Sequence, residues 1–335
     1  VNIGVVGYGS IARQHVRALM SLRERRVEPE VRLVGVMGRV AASASEFAGE
    51  FELDFSTTDL GALLARPDVE AVVICSPTDL HVAQTEQALL AGKHVLCEIP
   101  LATSLADADR LIALADRVER RLMVCHTERY YRALLEARRQ IASGELHPHS
   151  IVSRYMFFRR ENVNWVGRRR SWTDNLLWHH GCHAVDAALW LLGASEAEVT
   201  GQVALPGANL GIPMDLAIAM RTPADQVVSV AMSYNTHLPL HDYLIIGEEA
   251  TLLFSDGELR SKERVLVPKQ DLQDLTEPIM DQDAEFLAAI RERREPAISG
   301  RAVRPALAAL QAVQDMLDAR LATLGRDARH PGKVD

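Results

Sequence analysis

The chain has 335 residues, 48% of them hydrophobic and 24% charged, a globular composition long enough for two cores rather than one. A formal net charge of −8 argues against a general nucleic-acid or membrane-surface binder. No run of about 18 apolar residues occurs, so no membrane span is expected, and the opening VNIGVVGYGS enters a strand at once, without room for a signal peptide.

In chain order, Asn2–Val6, Val31–Met37, Ala71–Cys75, His94–Cys97 and Leu122–Cys125 are apolar runs without polar alternation, the pattern of parallel strands covered on both faces. Helical periodicity separates them at Ile11–Leu22, Ala41–Gly49, Leu60–Ala65, Leu80–Ala91 and Leu105–Arg120. Repeated β-α units predict a doubly wound parallel sheet of Rossmann type. Past about residue 125 the pattern changes. A helix over Tyr130–Ser143 leads to an alternating strand, Ser150–Phe158, then a basic loop and a helix over His179–Leu192. Strand-like segments follow at Val199–Ala204, Met214–Arg221, Val227–Tyr234, Tyr243–Gly247 and Ala250–Phe254. Few helices interrupt them, which predicts a second α/β domain with a large, mostly antiparallel open sheet. Helices over Met280–Arg293 and Pro305–Leu324 close the chain, and the tail after Gly325 is polar and expected to fray. The division predicted is 1–125 and 126–330. Four cysteines, Cys75, Cys97, Cys125 and Cys182, show no CxxC spacing; three sit in strand-like runs as small hydrophobes, and a reduced, cytoplasmic setting is expected.

Gly7-Tyr8-Gly9-Ser10-Ile11-Ala12 follows the first strand and opens the first helix. In that context G-x-G-x-x-A predicts a dinucleotide site: a tight turn, a close backbone approach to pyrophosphate, and a helix N-terminus offering N–H groups. The second strand ends in Gly38-Arg39 with no carboxylate to take ribose hydroxyls. Arginine suits a 2′-phosphate, so NADP is expected over NAD; the alternative is an Arg39 merely solvated at a helix start.

Gly7–Ala12, Cys75-Ser76-Pro77-Thr78-Asp79-Leu80-His81 and the run from Ala91 to Ala102 containing Glu98-Ile99-Pro100 together resemble the Gfo/Idh/MocA oxidoreductases. The resemblance implies a nicotinamide cofactor held by Gly7–Ala12, Gly38, Arg39, Ser76, Pro77, Thr78, His81 and Glu98, with Glu98 beside the nicotinamide ribose. It also implies a substrate-binding second domain whose open sheet supports a homodimer or homotetramer. Two departures stand out. Ile99 replaces the usual active-site lysine, and His179-His180-Gly181-Cys182-His183 replaces Asp-x-x-x-His. Both departures, with Phe157–Asn162, Arg170–Asp174 and Leu176–His180, are similar to one subgroup from aromatic catabolism. That similarity implies NADP-dependent oxidation of the cyclic hemiacetal of a carboxylated semialdehyde to a pyrone dicarboxylate.

The second domain carries Arg159, Arg160, Arg168, Arg169 and Arg170 within twelve residues. Guanidinium pairs with carboxylate through two parallel bonds, which a dicarboxylated substrate would use; the plainer reading is a solvated basic loop. Arg159, Arg160, Arg170 and Trp172 are the candidate substrate residues. If the strand continued through residue 160, Arg159 and Arg160 would face opposite sides. On a helix His179 and His183 share a face with Asp186, while His180 points elsewhere. An imidazole suits the base that a hemiacetal hydroxyl requires, so His183, then His179, then His180 are the candidates. Zinc is not expected, since no glutamate lies between the histidines and no third ligand is evident. Trp165, Trp172 and Trp178 either wall a planar substrate or fill the core. Arg129 either reaches a ligand or sits exposed at a helix start. The competing functions are a sugar or polyol dehydrogenase of the same family, against which Ile99 and the arginines weigh, and a non-catalytic dinucleotide sensor. No nucleic-acid or membrane partner is expected.

Overall fold

The computed structural model describes residues 1–163, 169, 173, 175–272 and 274–325. Strands too apolar to face water on either side must lie between helices, and the first part of the chain does this. Its elements are β1 (Asn2–Val6), α1 (Ser10–Glu24), β2 (Arg32–Met37), α2 (Ala41–Glu50), β3 (Phe55–Thr57), α3 (Leu60–Leu64), β4 (Ala71–Ile74), α4 (Thr78–Leu90), β5 (His94–Cys97), α5 (Leu105–Arg117) and β6 (Leu122–Val124). The six strands form one sheet in the order β3-β2-β1-β4-β5-β6, and every neighbouring pair is parallel. The chain leaves β1 toward β2 on one side and returns as β4 on the other, creating a crevice at the carboxyl ends of β1 and β4. β4 is buried at all its positions, and α1 turns Ala12, Val16, Leu19 and Leu22 inward.

Differences from the sequence reading have local causes. The short edge strand β3 was not expected; its three residues are too few for a periodic signal. Helix α5 stops at Arg117 rather than Arg120 because Glu119 takes a positive φ of 54°. Asp59 and Ser104 cap α3 and α5 by accepting from Gly61 N and Asp107 N at 2.8 and 3.1 Å.

Two compact units result, Val1–Tyr130 with Asp274–Arg304, and Tyr131–Gln273 with Pro305–Asp335. In the first, α8 (Thr276–Arg291) packs against α1 and buries Ile279, Met280, Gln282, Asp283, Phe286 and Leu287.

The second unit contains α6 (Arg132–Ala142), β7 (Pro148–Phe158), α7 (His180–Leu192), β8 (Glu198–Val203), β9 (Asp215–Arg221), β10 (Val227–Ser233), β11 (Asn235–Gly247), β12 (Thr251–Ser255), β13 (Glu258–Arg260) and β14 (Val265–Val267), with most of α9 (Gly300–Thr323). Its eight strands run in the order β14-β13-β12-β11-β7-β10-β9-β8. Neighbours are antiparallel except the parallel pair β7–β10. Alternation sends Leu216, Ile218, Met220, Val228, Val230 and Met232 to the buried face, and α7 packs on β7 and β10. β11 begins eight residues earlier than the apolar run Tyr243–Gly247 suggests. Pro239 falls within a register shift between Asn235 and Leu240, where the ladder needs no N–H from it. Gly193, at φ +66°, closes α7. Among the described residues, no helix is long and apolar enough to cross a membrane. The polar tail after Gly325 lies outside them.

Candidate functional site

The residues singled out for a cofactor follow β2, β1, β4 and β5, four consecutive strands of the first sheet. Gly7 turns the chain out of β1 at φ +108°, and a Cβ there would stand 2.7 Å from the Cys75 carbonyl oxygen. Only glycine fits without strain. Gly9 has an ordinary φ of −72°, and a Cβ on it would meet nothing within 4 Å. It caps α1 without any side-chain hydrogen bond, whereas Asp59 and Ser104 occupy the N-termini of α3 and α5. The α1 N-terminus thus begins at a bare backbone with space around Gly9, which fits a pyrophosphate. Ser10 and Ile11 are half-buried and Ala12 is fully buried against the sheet.

Tyr8 lies along the end of β2: a Cβ on Gly38 would fall 2.1 Å from its ring. Arg13 donates to the Tyr8 carbonyl and, through Nε, to Glu50 at 3.0 Å. Arg39 is exposed just after β2. Ser76 Oγ donates to Gln84 Oε1 at 2.5 Å, and Pro77 and Thr78 start α4. His81 is buried, with Nδ1 2.8 Å from Pro100 O and Nε2 2.9 Å from Ser76 O. Burial opposes its charged form, but the Cys97 sulfur and these carbonyls lift its pKa from 6.5 to about 9. Its nitrogens thus join the loop after β4 to the loop after β5, rather than pointing into the crevice.

Glu98 follows β5, and its Oε2 accepts from Ile99 N at 3.2 Å. Its Oε1 lies 2.9 Å from Nε2 of His15, whose Nδ1 lies 2.9 and 3.0 Å from the two oxygens of Asp283. Burial alone would discharge the His15 ring, yet the carboxylates of Asp283 and Glu98 raise its pKa to about 10. Burial pushes Glu98 up, but His15 more than reverses this and leaves it below the ordinary value. Asp283, deeper, stays above its ordinary value because burial outweighs His15. Sequence reasoning missed His15 and Asp283. Both are polar positions on largely apolar helix faces, and only the packing of α8 on α1 brings them together.

In the second unit, β7 ends at Phe158 rather than continuing through 160, so simple alternation does not separate Arg159 from Arg160. Arg159 is buried, donates to Asn162 Oδ1 at 2.9 Å and stacks 5.0 Å over Tyr234. Arg160 donates to the carbonyls of Arg159 and Tyr234 at 2.8 and 3.0 Å and lies 4.3 Å over Phe158. Arg169 is exposed, 4.0 Å from Glu161. Arg168, Arg170, Trp165 and Trp172 lie outside the described residues.

His179 precedes α7 as its N-cap and His180 opens the helix; both, and His183, are half-buried. His180 Nδ1 sits 2.5 Å from the Tyr234 hydroxyl, with its ring 4.7 Å from Tyr155 and 5.4 Å from Phe157. The His179 ring stands perpendicular to it at 4.7 Å. The structure thus gathers Arg159, Arg160, His179 and His180 around Tyr234 and aromatic walls. Tyr155, Phe157 and Tyr234 were not anticipated, although aromatic residues on adjacent strands are a readable signal. Asp186 is buried in α7. Trp178 is a core residue, 3% exposed, donating to Gln314 at 3.0 Å. Arg129, in the first unit, is buried and donates to Ala302 O at 3.1 Å.

Residues 1–126 match the oxidoreductase family with an NAD-binding Rossmann fold, and residues 135–267 match the C-terminal part of bacterial oxidoreductases. A 4-carboxy-2-hydroxymuconate-6-semialdehyde dehydrogenase from a Sphingobium species is 35% identical over 302 residues, covering 88% of this chain and 92% of that protein. An inositol 2-dehydrogenase from Rhizobium meliloti is 28% identical, covering 61% and 59%. The structure of a levoglucosan dehydrogenase in complex with NADH superposes with a TM-score of 0.82 at 20% identity, covering 94% of this chain and 96% of that one, and so shares the fold. The Rossmann motif in its crevice, the two-part match and the near full-length similarity make this chain a member of the Gfo/Idh/MocA family of NAD(P)-dependent oxidoreductases.

Proposed function

We propose that this oxidoreductase oxidises the cyclic hemiacetal of 4-carboxy-2-hydroxymuconate-6-semialdehyde, or of a similar carboxylated semialdehyde, to 2-pyrone-4,6-dicarboxylate in aromatic catabolism, using NADP. The observation that carries this reading is the cluster of two guanidinium groups and two imidazoles in the second unit, Arg159, Arg160, His179 and His180 around Tyr234. Neutral polyols call for uncharged hydrogen-bonding groups, whereas carboxylates call for guanidinium. The 35% identity to the Sphingobium enzyme supports the same choice.

When bound, the nicotinamide supplies a hydride acceptor. Gly7, Gly9 and the start of α1 would hold its pyrophosphate, and Ser76, Pro77, Thr78 and Glu98 would line the far half of the crevice. The Tyr8 ring packed over Gly38 would border the adenosine ribose, and Arg39, exposed just after β2, would meet a 2′-phosphate. His183 is the first candidate to take the hemiacetal proton and His179 the second. Arg159 and Arg160, joined by Arg170 and Trp172, would bind and orient the substrate. Self-association as a homodimer or homotetramer is assigned to the open face of the second sheet, where Ala217, Ala219 and Ser229 are exposed and small. The four buried cysteines, none in a disulfide, fit a cytoplasmic setting.

The similarity to inositol 2-dehydrogenases favours a polyol as the second reading. A substrate panel, followed by NADPH absorbance, decides: the dicarboxylated semialdehyde should exceed neutral sugars in kcat/KM by orders of magnitude. Higher turnover of myo-inositol than of any carboxylated semialdehyde would refute the first reading.

A further inference from the structure

Three ionisable side chains from three elements meet in the core of the first unit, and hydride transfer uses two of them in no evident way. His15 on α1 stands between Glu98, after β5, and Asp283 on α8, with its contacts to the two carboxylates at 2.9–3.0 Å. His15 and Asp283 are wholly buried, whereas the Glu98 side chain is 13% exposed. Buried ion triads are seldom more stable than apolar residues of the same volume, so this one needs a reason other than stability. The Rossmann geometry supplies one. The glycine loop after β1 and Gly38-Arg39 after β2 take one mononucleotide half, leaving the other over β4 and β5. Glu98 is thus the exposed tip of a buried charge network at the nicotinamide half.

The groups facing the triad come from every neighbouring element. Cys125 Sγ is 3.8 Å from His15 Nε2, Cys75 and Cys97 are buried nearby, and Gln282 lies 3.5 Å from Asp283 and accepts from Thr127. Tyr130 feels Asp283, and the His81 ring acts on Glu98. Of the three members of the triad, Glu98 reaches furthest toward solvent.

We propose that His15 and Asp283 are positioning residues that hold Glu98 as a fixed carboxylate at the nicotinamide end of the crevice, so that the site favours the oxidised, cationic ring over the reduced, neutral one. This rests on reading the crevice as the cofactor site. Asp283 fixes the His15 ring and its proton, and His15 fixes the carboxylate. Removing the charge of Asp283 leaves His15 to neutralise Glu98 alone, and the negative tip is lost.

The test is the pair of dissociation constants for NADP+ and NADPH, with NAD+ and NADH in parallel, by calorimetry on wild type, Asp283→Asn, His15→Gln and Glu98→Gln, each matched to wild type by circular dichroism. Asp283→Asn and Glu98→Gln should lower the preference for the oxidised form roughly tenfold, as one charge about 10 Å away at intermediate dielectric would. Tenfold corresponds to a rise of about 30 mV in the two-electron potential of the bound couple. His15→Gln should weaken both forms severalfold, because Glu98 loses its orientation. If Glu98→Gln shifts the constants while Asp283→Asn and His15→Gln leave them within about twofold of wild type, the positioning proposal falls. If Glu98→Gln changes nothing, the assignment of Glu98 to the cofactor site falls with it. Should the buried variants not fold, nitrogen NMR of wild type still decides. The His15 ring should be doubly protonated at about pH 8 and respond more to NADP+ than to NADPH, and a neutral, unresponsive ring overturns the proposal. Stoichiometric zinc in the purified protein would also overturn it, since His15, Glu98 and Cys125 offer ligand atoms within 4.8 Å.

Discussion

Gly7→Ala and Gly9→Ala separate what the loop does for the fold from what it does for the cofactor. At Gly7 the new methyl meets the Cys75 carbonyl oxygen at 2.7 Å and carbon at 2.9 Å, with φ at +108°. The neighbour is backbone just past the end of β4, fixed by Cys75 N donating to Val6 O at 2.7 Å, and cannot swing aside. Left-handed strain costs about 1–3 kcal/mol and overpacking about as much again. At about 2–4 °C per kcal/mol for a unit of this size, Gly7→Ala should lower Tm by roughly 5–20 °C. At Gly9 the φ of −72° suits any residue and no atom lies within 4 Å of the new methyl, so Tm should stay within about 2 °C of wild type. The same methyl stands where pyrophosphate must approach the backbone, so affinity for NADP should fall at least about tenfold. Scanning calorimetry gives the first quantity and titration calorimetry the second. A Gly9→Ala protein that binds NADP like wild type would refute the cradle, and one that melts as early as Gly7→Ala would refute the steric account.

Arg39→Ala should cost roughly 1.5–3 kcal/mol in kcat/KM with NADP, the range for a charged hydrogen bond, and little with NAD; a wild-type preference for NAD would remove the basis for it. His183→Ala should lower single-turnover hydride transfer by about 10²–10⁴ while NADP still binds, and flatten the acidic limb of the pH profile. Wild-type rates and pH dependence in both His183→Ala and His179→Ala would place the base elsewhere. Because the pKa of His15 is raised from 6.5 to about 10, its contribution to stability is full below pH 6.5 and is lost as pH rises through about 10. The gap between wild type and His15→Gln in urea unfolding should follow that course, from a limit on the order of 5 kcal/mol; a gap that grows toward pH 10 would contradict the assignment.

The parallel sheet is legible because its strands are buried on both faces: Ala71–Ile74 and His94–Cys97 carry no polar alternation and can hardly be anything else. The second sheet is legible where one face is wet, as in β9, whose residues alternate from Leu216 to Arg221. It fails where a strand is mostly exposed. Asn235–Leu240 lacks apolar alternation and contains Pro239, yet belongs to β11 because β7 pairs with it on either side of the register shift. β13 and β14, three residues each, exist through pairing with β12 and with each other, which no local pattern encodes.

The site divides along the same line. Gly7, Gly9 and Ala12 are readable because their roles are local: a turn, a bare backbone and a close helix, all within six residues. Arg159 shows the limit of a local argument, for charge alone suggests a solvated group, whereas the structure buries it against Tyr234 and Asn162. His15 and Asp283 are beyond a local argument altogether. They are 268 residues apart, each a polar residue on a largely apolar helix face, where a satisfied core group is the ordinary expectation. Their meaning arises only when α8 lies on α1 and the two helices close on the carboxylate after β5. Such residues can be inferred from sequence only once the pairing of those helices is known. The burial of a charge then becomes informative, because an ion held at 0% exposure must be satisfied by partners brought from elsewhere in the chain.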